Sequence, residues 1–289
     1  MPIRRNLSVI FLLISLFPGN GKAQDQSTCD LRFLKYLIDR EQYREVLFLI
    51  DSSDCIFSSS YDTLNYYKGW SLYSLKQLEK SGSYFLKVSK SSVYYPESRL
   101  FAAYNYAHSG NYGLAMNILN EFDSHDDKLG TLRNFMTSGI YLLENDTSGY
   151  KKSAILVNKS YYEFSESYEN IRNVYDDMKM HRRKSPLLAG SLSAIVPGAG
   201  KFYSGRKAEA VSAFLASAGL GFVTWESARK TGYNSIRTLL SGSVFVIFYA
   251  SNIYGAVVSA RVVETEYKNN VKNTVLFNLH IPLRNSFER

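Results

Sequence analysis

Apolar positions change their spacing three times along the chain. An eleven-residue apolar run over 7–17 follows Arg4 and Arg5 and stops at Pro18-Gly19-Asn20-Gly21. From about residue 30 to 180 apolar residues recur at helical intervals, with one proline (Pro96) and few β-branched runs, which predicts a succession of amphipathic helices. After His181-Arg182-Arg183-Lys184 the pattern becomes continuous: 187–196 is apolar, 208–225 has Glu209 as its only charge, and 239–260 has none. About 20 apolar residues suffice to cross a bilayer as a helix. Near the end Val275, Phe277, Leu279 and Ile281 alternate, predicting a short strand or extended segment, or else a loosely ordered end.

Within 30–180 three turn-like triplets stand in matching surroundings: Glu41-Gln42-Tyr43, Lys76-Gln77-Leu78 and Gly110-Asn111-Tyr112, their third residues 35 and then 34 apart. Nine residues before each third residue stand Leu34, Gly69 and Ala103. Three residues after it stand Val46, Ser81 and Ala115, and four further on Ile50, Phe85 and Leu119. Small or apolar residues at these offsets let two antiparallel helices cross closely. The period resembles that of tetratricopeptide repeats, with the first two copies degenerate. A fourth pair over 132–143 and 151–180 resembles the pattern with a short insertion at 145–149. Arrays of this kind bind peptides or proteins on the concave face lined by their first helices. In this register that face carries Lys35 and Asp39, then Tyr66, Trp70 and Tyr73, then Tyr104 and His108; aromatic side chains make good anchors, and core packing is the competing role for each.

Composition adds an address. The positive N-terminus, the short apolar run and the small-x-small site Gly21-Lys22-Ala23 form a secretory signal over 1–23. Eleven residues span only about half of a ~30 Å hydrocarbon core, which favours cleavage over anchoring. Export places Cys29 and Cys55 in an oxidising compartment, where they are expected to form a disulfide, with buried thiols as the alternative. Formal charge is +8 overall but divided: residues 24–180 hold 17 Lys/Arg against 21 Asp/Glu, and residues 181–289 hold 14 against 5. An acidic first half and a basic, apolar second half argue for two bodies in different surroundings rather than for nucleic-acid binding.

The string Pro197-Gly198-Ala199-Gly200-Lys201-Phe202-Tyr203-Ser204-Gly205-Arg206 is the most distinctive in the chain. It resembles the Gly-x-Gly-x-Phe-Tyr-x-Gly-[Arg/Lys] turn of small bacterial membrane domains built on a two-helix hairpin, over about residues 184–261, and the later Ser251-Asn252-Ile253-Tyr254-Gly255-Ala256 looks similar to their following helix. The resemblance implies membrane residence and no activity. Pro197, Gly198, Gly200 and Gly205 permit the tight turn, Phe202 and Tyr203 are expected at the interface, and Arg206 and Lys207 at headgroups. If 187–196 is interfacial or re-entrant the chain has two spans and its tail returns to the side of the repeats; if it crosses, there are three.

The expected fold class is all-α: degenerate tetratricopeptide-like repeats over 24–180, a helical membrane domain of two or three spans over 181–262 and a tail over 263–289. Four histidines without ligand spacing, and no Gly-x-Ser-x-Gly, His-Glu-x-x-His or dinucleotide fingerprint, give no catalytic residues, metal site or cofactor. Gly200-Lys201 only mimics the end of a phosphate-binding loop, since Phe202 and Ile195 break that motif, so no nucleotide is expected. The expected function is a non-enzymatic, exported scaffold or adaptor that holds a protein or peptide partner, its repeats on the periplasmic side of the bacterial inner membrane and its anchor in the lipid bilayer. The alternatives are a small transporter or channel component and an envelope enzyme with an unrecognised site.

Overall fold

A computed structural model describes residues 27–29, 31–52, 55–57, 61–158 and 160–287; the signal segment expected over 1–23 lies outside them. The protein is all-α. Among the described residues the helices are α1 (Leu31–Asp39), α2 (Tyr43–Asp51), α3 (Tyr61–Ser74), α4 (Leu78–Phe85), α5 (Tyr95–His108), α6 (Tyr112–Glu121), α7 (Asp127–Leu143), α8 (Thr147–Ala154) and α9 (Tyr162–Met180), then α10 (Pro186–Ile195), α11 (Ala199–Tyr203), α12 (Lys207–Thr231) and α13 (Ile236–Phe287). Two three-residue strands, β1 (Ser27–Cys29) and β2 (Cys55–Phe57), pair in parallel with Cys29 opposite Phe57 and Cys55 opposite Ser27. The side chains of the two cysteines, and hence the expected disulfide, fall outside the described residues. The chain forms two compact units that divide between Ser98 and Arg99, inside α5.

Four helical hairpins share one turn. Glu41, Lys76, Gly110 and Asn145 adopt left-handed backbone with φ of 58°, 62°, 87° and 62°, at intervals of 35, 34 and 35 residues. The next residue's N–H reaches five back in every case: Gln42 to Leu37, Gln77 to Leu72, Asn111 to Tyr106 and Asp146 to Tyr141, at 2.8–2.9 Å. This 6→1 bond with a left-handed residue inside it is the Schellman closure of a helix C-terminus. Asn111 and Asp146 also cap the following helix through their side chains. The fourth hairpin is therefore α7–α8 with no insertion, correcting the expected pairing: Asn145 occupies the place of Gly110, and 151–180 is not one helix but the end of α8, a connection and α9.

The expected packing positions are where the hairpins close. Leu34 and Val46 are fully buried with Ile50 packed against them. Phe85 lies so close to Gly69 that an added Cβ would stand 2.7 Å from its ring, and the Ser81 hydroxyl donates to the Gly69 carbonyl at 2.7 Å. Ala103, Ala115 and Leu119 are buried in the third copy. The glycine and the serine thus set the approach of α3 and α4 together.

The end of the chain is neither strand nor loose. It continues α13, a 52-residue helix about 78 Å long at 1.5 Å per residue. Its buried residues there are Val275, Leu276, Asn278, Leu279, Pro282 and Leu283, a helical stripe, while Phe277 faces outward. The apparent alternation of apolar residues loses to this 3.6-residue period because α7 and α9 offer a surface for one face only. Leu279 lies against Gly139 of α7, within 2.7 Å of where a Cβ would be. Asn170 of α9 donates its amide to the Asn278 carbonyl oxygen at 2.9 Å. The His280 ring stacks on Tyr104 of α5 at 5.2 Å between centroids, and Phe287 meets Phe101.

Leu279→Ala is expected to cost about 2–5 kcal/mol, the range for truncating a buried leucine. It is also expected to expose residues 262–287 to protease, measured by limited digestion of the detergent-extracted protein. Gly139→Leu, which needs the space Leu279 fills, should produce the same fragments.

Candidate functional site

On α1, Lys35 and Asp39 are exposed beside the buried Leu34 and Leu37. On α3, residues four and three apart place Tyr66, Trp70 and Tyr73 in one strip, with Tyr66 and Trp70 stacked at 6.5 Å and Trp70 and Tyr73 tilted at 5.5 Å. Tyr66 is held by its surroundings: its ring stacks on Tyr94 at 4.2 Å and its hydroxyl donates to the Glu97 carboxylate at 2.7 Å. Tyr73 is buried, whereas Tyr66 and Trp70 are half-buried. Within the first unit, then, the expected partner face presents aromatic edges on α3 and a separate charged pair on α1.

Tyr104 is taken. Only 7% exposed, it is covered by His280 of the chain's own last helix, with exposed His108 at 6.1 Å on its other side. Phe101 and Tyr104 of α5, Gly139 of α7 and Asn170 of α9 all meet α13, so in the second unit the repeat groove already holds a helix. Sequence reading missed this occupant. The stripe at 275, 276, 279 and 283 is the signal that could have found it.

The glycine-rich string turns the chain back on itself. α10 is capped by Ser185, whose hydroxyl accepts from the Leu188 amide, and it ends at Val196. Gly198 follows with φ 86° and opens α11. A Cβ at Gly198 would stand 2.3 Å from the Ala210 carbonyl oxygen, and one at Gly200 only 1.9 Å from that of Ala189, so the turn presses backbone against backbone on the start of α12 and α11 does the same on α10. The Gly200 amide donates to the Ser193 hydroxyl at 3.0 Å, and Ser204 donates to the Gly200 carbonyl at 2.9 Å. Gly205, φ 90°, closes α11 with the same 6→1 bond from Arg206 to Lys201. Tyr203 is directed inward: its hydroxyl accepts from the Ser185 amide at 3.1 Å and its ring packs on Ala189, Ala256 and Ala260. Phe202 is exposed. Arg206 is tied to Glu209 at 3.0 Å and to Glu266 at 3.5 Å. Pro197 stands at the bend itself.

α10 and α11 are thus a half-length hairpin, about 15 Å deep by the ten residues of α10. It lies on the first half of α13, where Val257 fills the space at Gly190 and the Tyr249 hydroxyl donates to the Ala194 carbonyl at 2.9 Å. α12 packs antiparallel on α13, with Phe245 at Gly221 and Thr224 at Gly242. Both α12 and α13 contain stretches long and apolar enough to cross a membrane, and only 17% and 22% of those stretches are buried. A soluble core helix hides its apolar residues, whereas here Phe214, Leu215, Phe222, Leu240, Val246 and Ile247 all face outward. Asn252, noted in the sequence only as part of the string 251–256, is buried in the charge-free run with neither amide atom hydrogen-bonded among the described residues.

No group of three His, Cys, Asp or Glu is placed to hold a metal among the described residues. No known family, curated protein or solved structure matches this chain.

Gly200→Val puts atoms into the Ala189 backbone and is expected to abolish the α10–α11 hairpin, seen as aggregation of the extracted protein in size-exclusion chromatography. Gly219→Ala, where a Cβ meets nothing within 4 Å, should leave the elution profile unchanged.

Proposed function

We propose that this chain is a membrane-anchored helical-repeat scaffold that holds a protein or peptide partner at a bilayer, without enzymatic activity of its own. The observation that carries the reading is the continuity of α13: its first half packs with α10 and α12 under an apolar surface, and its second half is bound by α7 and α9. The repeat helices of the second unit are thereby joined to the apolar bundle through one continuous helix.

The same continuity supports two crossings over three. Residues 262–287 and the repeat helices pack together, so the chain must return to the side it left, and an odd number of crossings cannot do that. α12 and the first half of α13 are the two spans in this reading, and α10–α11 is a re-entrant hairpin, consistent with a depth of about half the ~30 Å hydrocarbon core. Irregular backbone at that depth is tolerated when protein surrounds it, which the close contacts of Gly198 and Gly200 provide.

The partner surface in this reading is the first unit, where Lys35, Asp39, Tyr66, Trp70 and Tyr73 lie on α1 and α3. Tyr104 is covered by the tail instead, with His108 beside it. The export signal puts the repeats outside the cytoplasm, on the periplasmic side of an inner membrane. A second placement, with the repeats in the cytoplasm, is favoured by charge: Arg182, Arg183, Lys184, Lys201, Arg206, Lys207 and Arg261 flank the apolar bundle on the repeat side, against Arg229, Lys230 and Arg237 at the far turn, and basic flanks tend to stay inside. A transport role draws its support from Asn252, because an unsatisfied amide within a span marks a functional position by default.

Two outcomes are expected. Trp70→Ala should reduce partner recovery at least tenfold when the full chain is cross-linked in its own membranes and purified, while Tyr104→Ala changes recovery little and exposes the tail; equal recovery from Trp70→Ala and the unaltered chain contradicts the binding face. In a chain with Cys29→Ser and Cys55→Ser, cysteines introduced at Asn234 and at Lys90 should react with an impermeant maleimide from opposite sides of the membrane. Reaction of Lys90→Cys from outside intact spheroplasts fixes the export orientation, and reaction only after lysis fixes the reverse.

A further inference from the structure

Where the repeats meet the apolar bundle the second unit contains a cavity of about 530 Å³. Its walls come from α6, α7, α9, the linker to α10 and the middle of α13. Three cations line it, Arg183 from the linker and Lys268 and Lys272 from α13. The one carboxylate among the lining residues, Glu264, is engaged: its oxygen lies 3.0 Å from His181 Nε2. The His181 ring stacks in turn on Tyr267 at 3.6 Å, nearly parallel at 6°. This stack fixes the Tyr267 ring in the cavity wall, yet its hydroxyl is buried with no hydrogen-bond partner among the described residues. Burial first, then the nearby Asp177 and Glu264 charges, push the Tyr267 hydroxyl above its ordinary pKa, so it keeps its proton and is a hydrogen-bond donor. A buried donor without an acceptor is costly and rare in folded proteins.

We propose that this cavity binds a phosphate-bearing anion, with Arg183, Lys268 and Lys272 supplying the charge and the Tyr267 hydroxyl the missing hydrogen bond. Arginine and lysine around a buried hydroxyl are suited to phosphate oxygens, which accept several charge-assisted bonds at once. The height of the site indicates the source. α13 carries no charge from 239 to 260, and at 1.5 Å per residue Glu264 to Lys272 stand about 6–18 Å beyond that stretch. That is the headgroup layer of a bilayer whose core covers the apolar run, and basic pockets at that level hold anionic lipid headgroups. The lipid source rests on the membrane reading above. The anion site itself does not, because the cavity and its cations are present whatever surrounds the bundle.

The test uses the full chain, extracted in neutral detergent and exchanged into nanodiscs of phosphatidylcholine with and without phosphatidylglycerol, and separately titrated with inorganic phosphate in detergent. The expected result is retention of phosphatidylglycerol in native mass spectrometry, at least tenfold weaker in Lys268→Gln/Lys272→Gln and several-fold weaker in Tyr267→Phe. Lys230→Gln, at the far turn, should be unchanged. Phosphate binding in detergent that is lost in the same variants, without preference for phosphatidylglycerol, keeps the site and assigns it to a soluble phosphate ester. Absence of both, or binding undiminished in the double variant, overturns the proposal. Neither result alters the cysteine labelling that tests the topology, so the two can fail separately.

Discussion

Helix α13 joins an outward-facing apolar stretch to a docked amphipathic stretch without a break, and the second unit is arranged around that constraint. Its first half has no charge between 239 and 260 and packs on α10 and α12 through small residues, with Val257 against Gly190, Phe245 against Gly221 and Thr224 against Gly242. Its second half is polar outside and apolar on one stripe, and Gly139 opens the room that Leu279 fills. A hinge between these halves would uncouple the repeats from the apolar bundle. None is present: backbone helicity continues through Pro282, whose position near the helix end limits the disturbance a proline makes.

A second constraint is the left-handed turn, used four times in the repeats and again at Gly205. Each use ends a helix with a 6→1 hydrogen bond and starts the next within two residues, which is what holds paired helices antiparallel at close range. Only Gly110 and Gly205 among these five are glycines. Glu41, Lys76 and Asn145 accept positive φ because the bonds around them fix the backbone, and Asn tolerates it best of the three.

That distinction explains what could be read in the chain. The first three turns were legible because triplets with Gln or Asn in the middle recur beside buried Leu34, Gly69 and Ala103. The fourth was not, since Asn145-Asp146-Thr147 spells the same turn with an acidic cap and looked like an insertion. The apolar helices and the bend at Pro197-Gly198 were evident from length and glycine placement, but the inward course of Tyr203 and the ion pairs of Arg206 depend on Ser185, Glu209 and Glu266, which lie outside the motif. The tail was misread because four apolar residues alternate, and only the groove of α5, α7 and α9 reveals which face is used. Tyr104 was expected on a partner face, and its ring is covered by His280 of the chain's own last helix.

The last turns of α13 lie against α5, α7 and α9, while its first turns present an apolar surface long enough to cross a membrane. A cross-link across the Asn170–Asn278 contact tests this docking in native membranes. With Cys29→Ser and Cys55→Ser in place, cysteines at 170 and 278 should form a disulfide on mild oxidation, so that protease-cut halves stay joined until reduced. Halves that separate without reductant, from protein still resistant to alkaline carbonate extraction, would contradict a docked tail and with it the coupling of repeats to the bilayer.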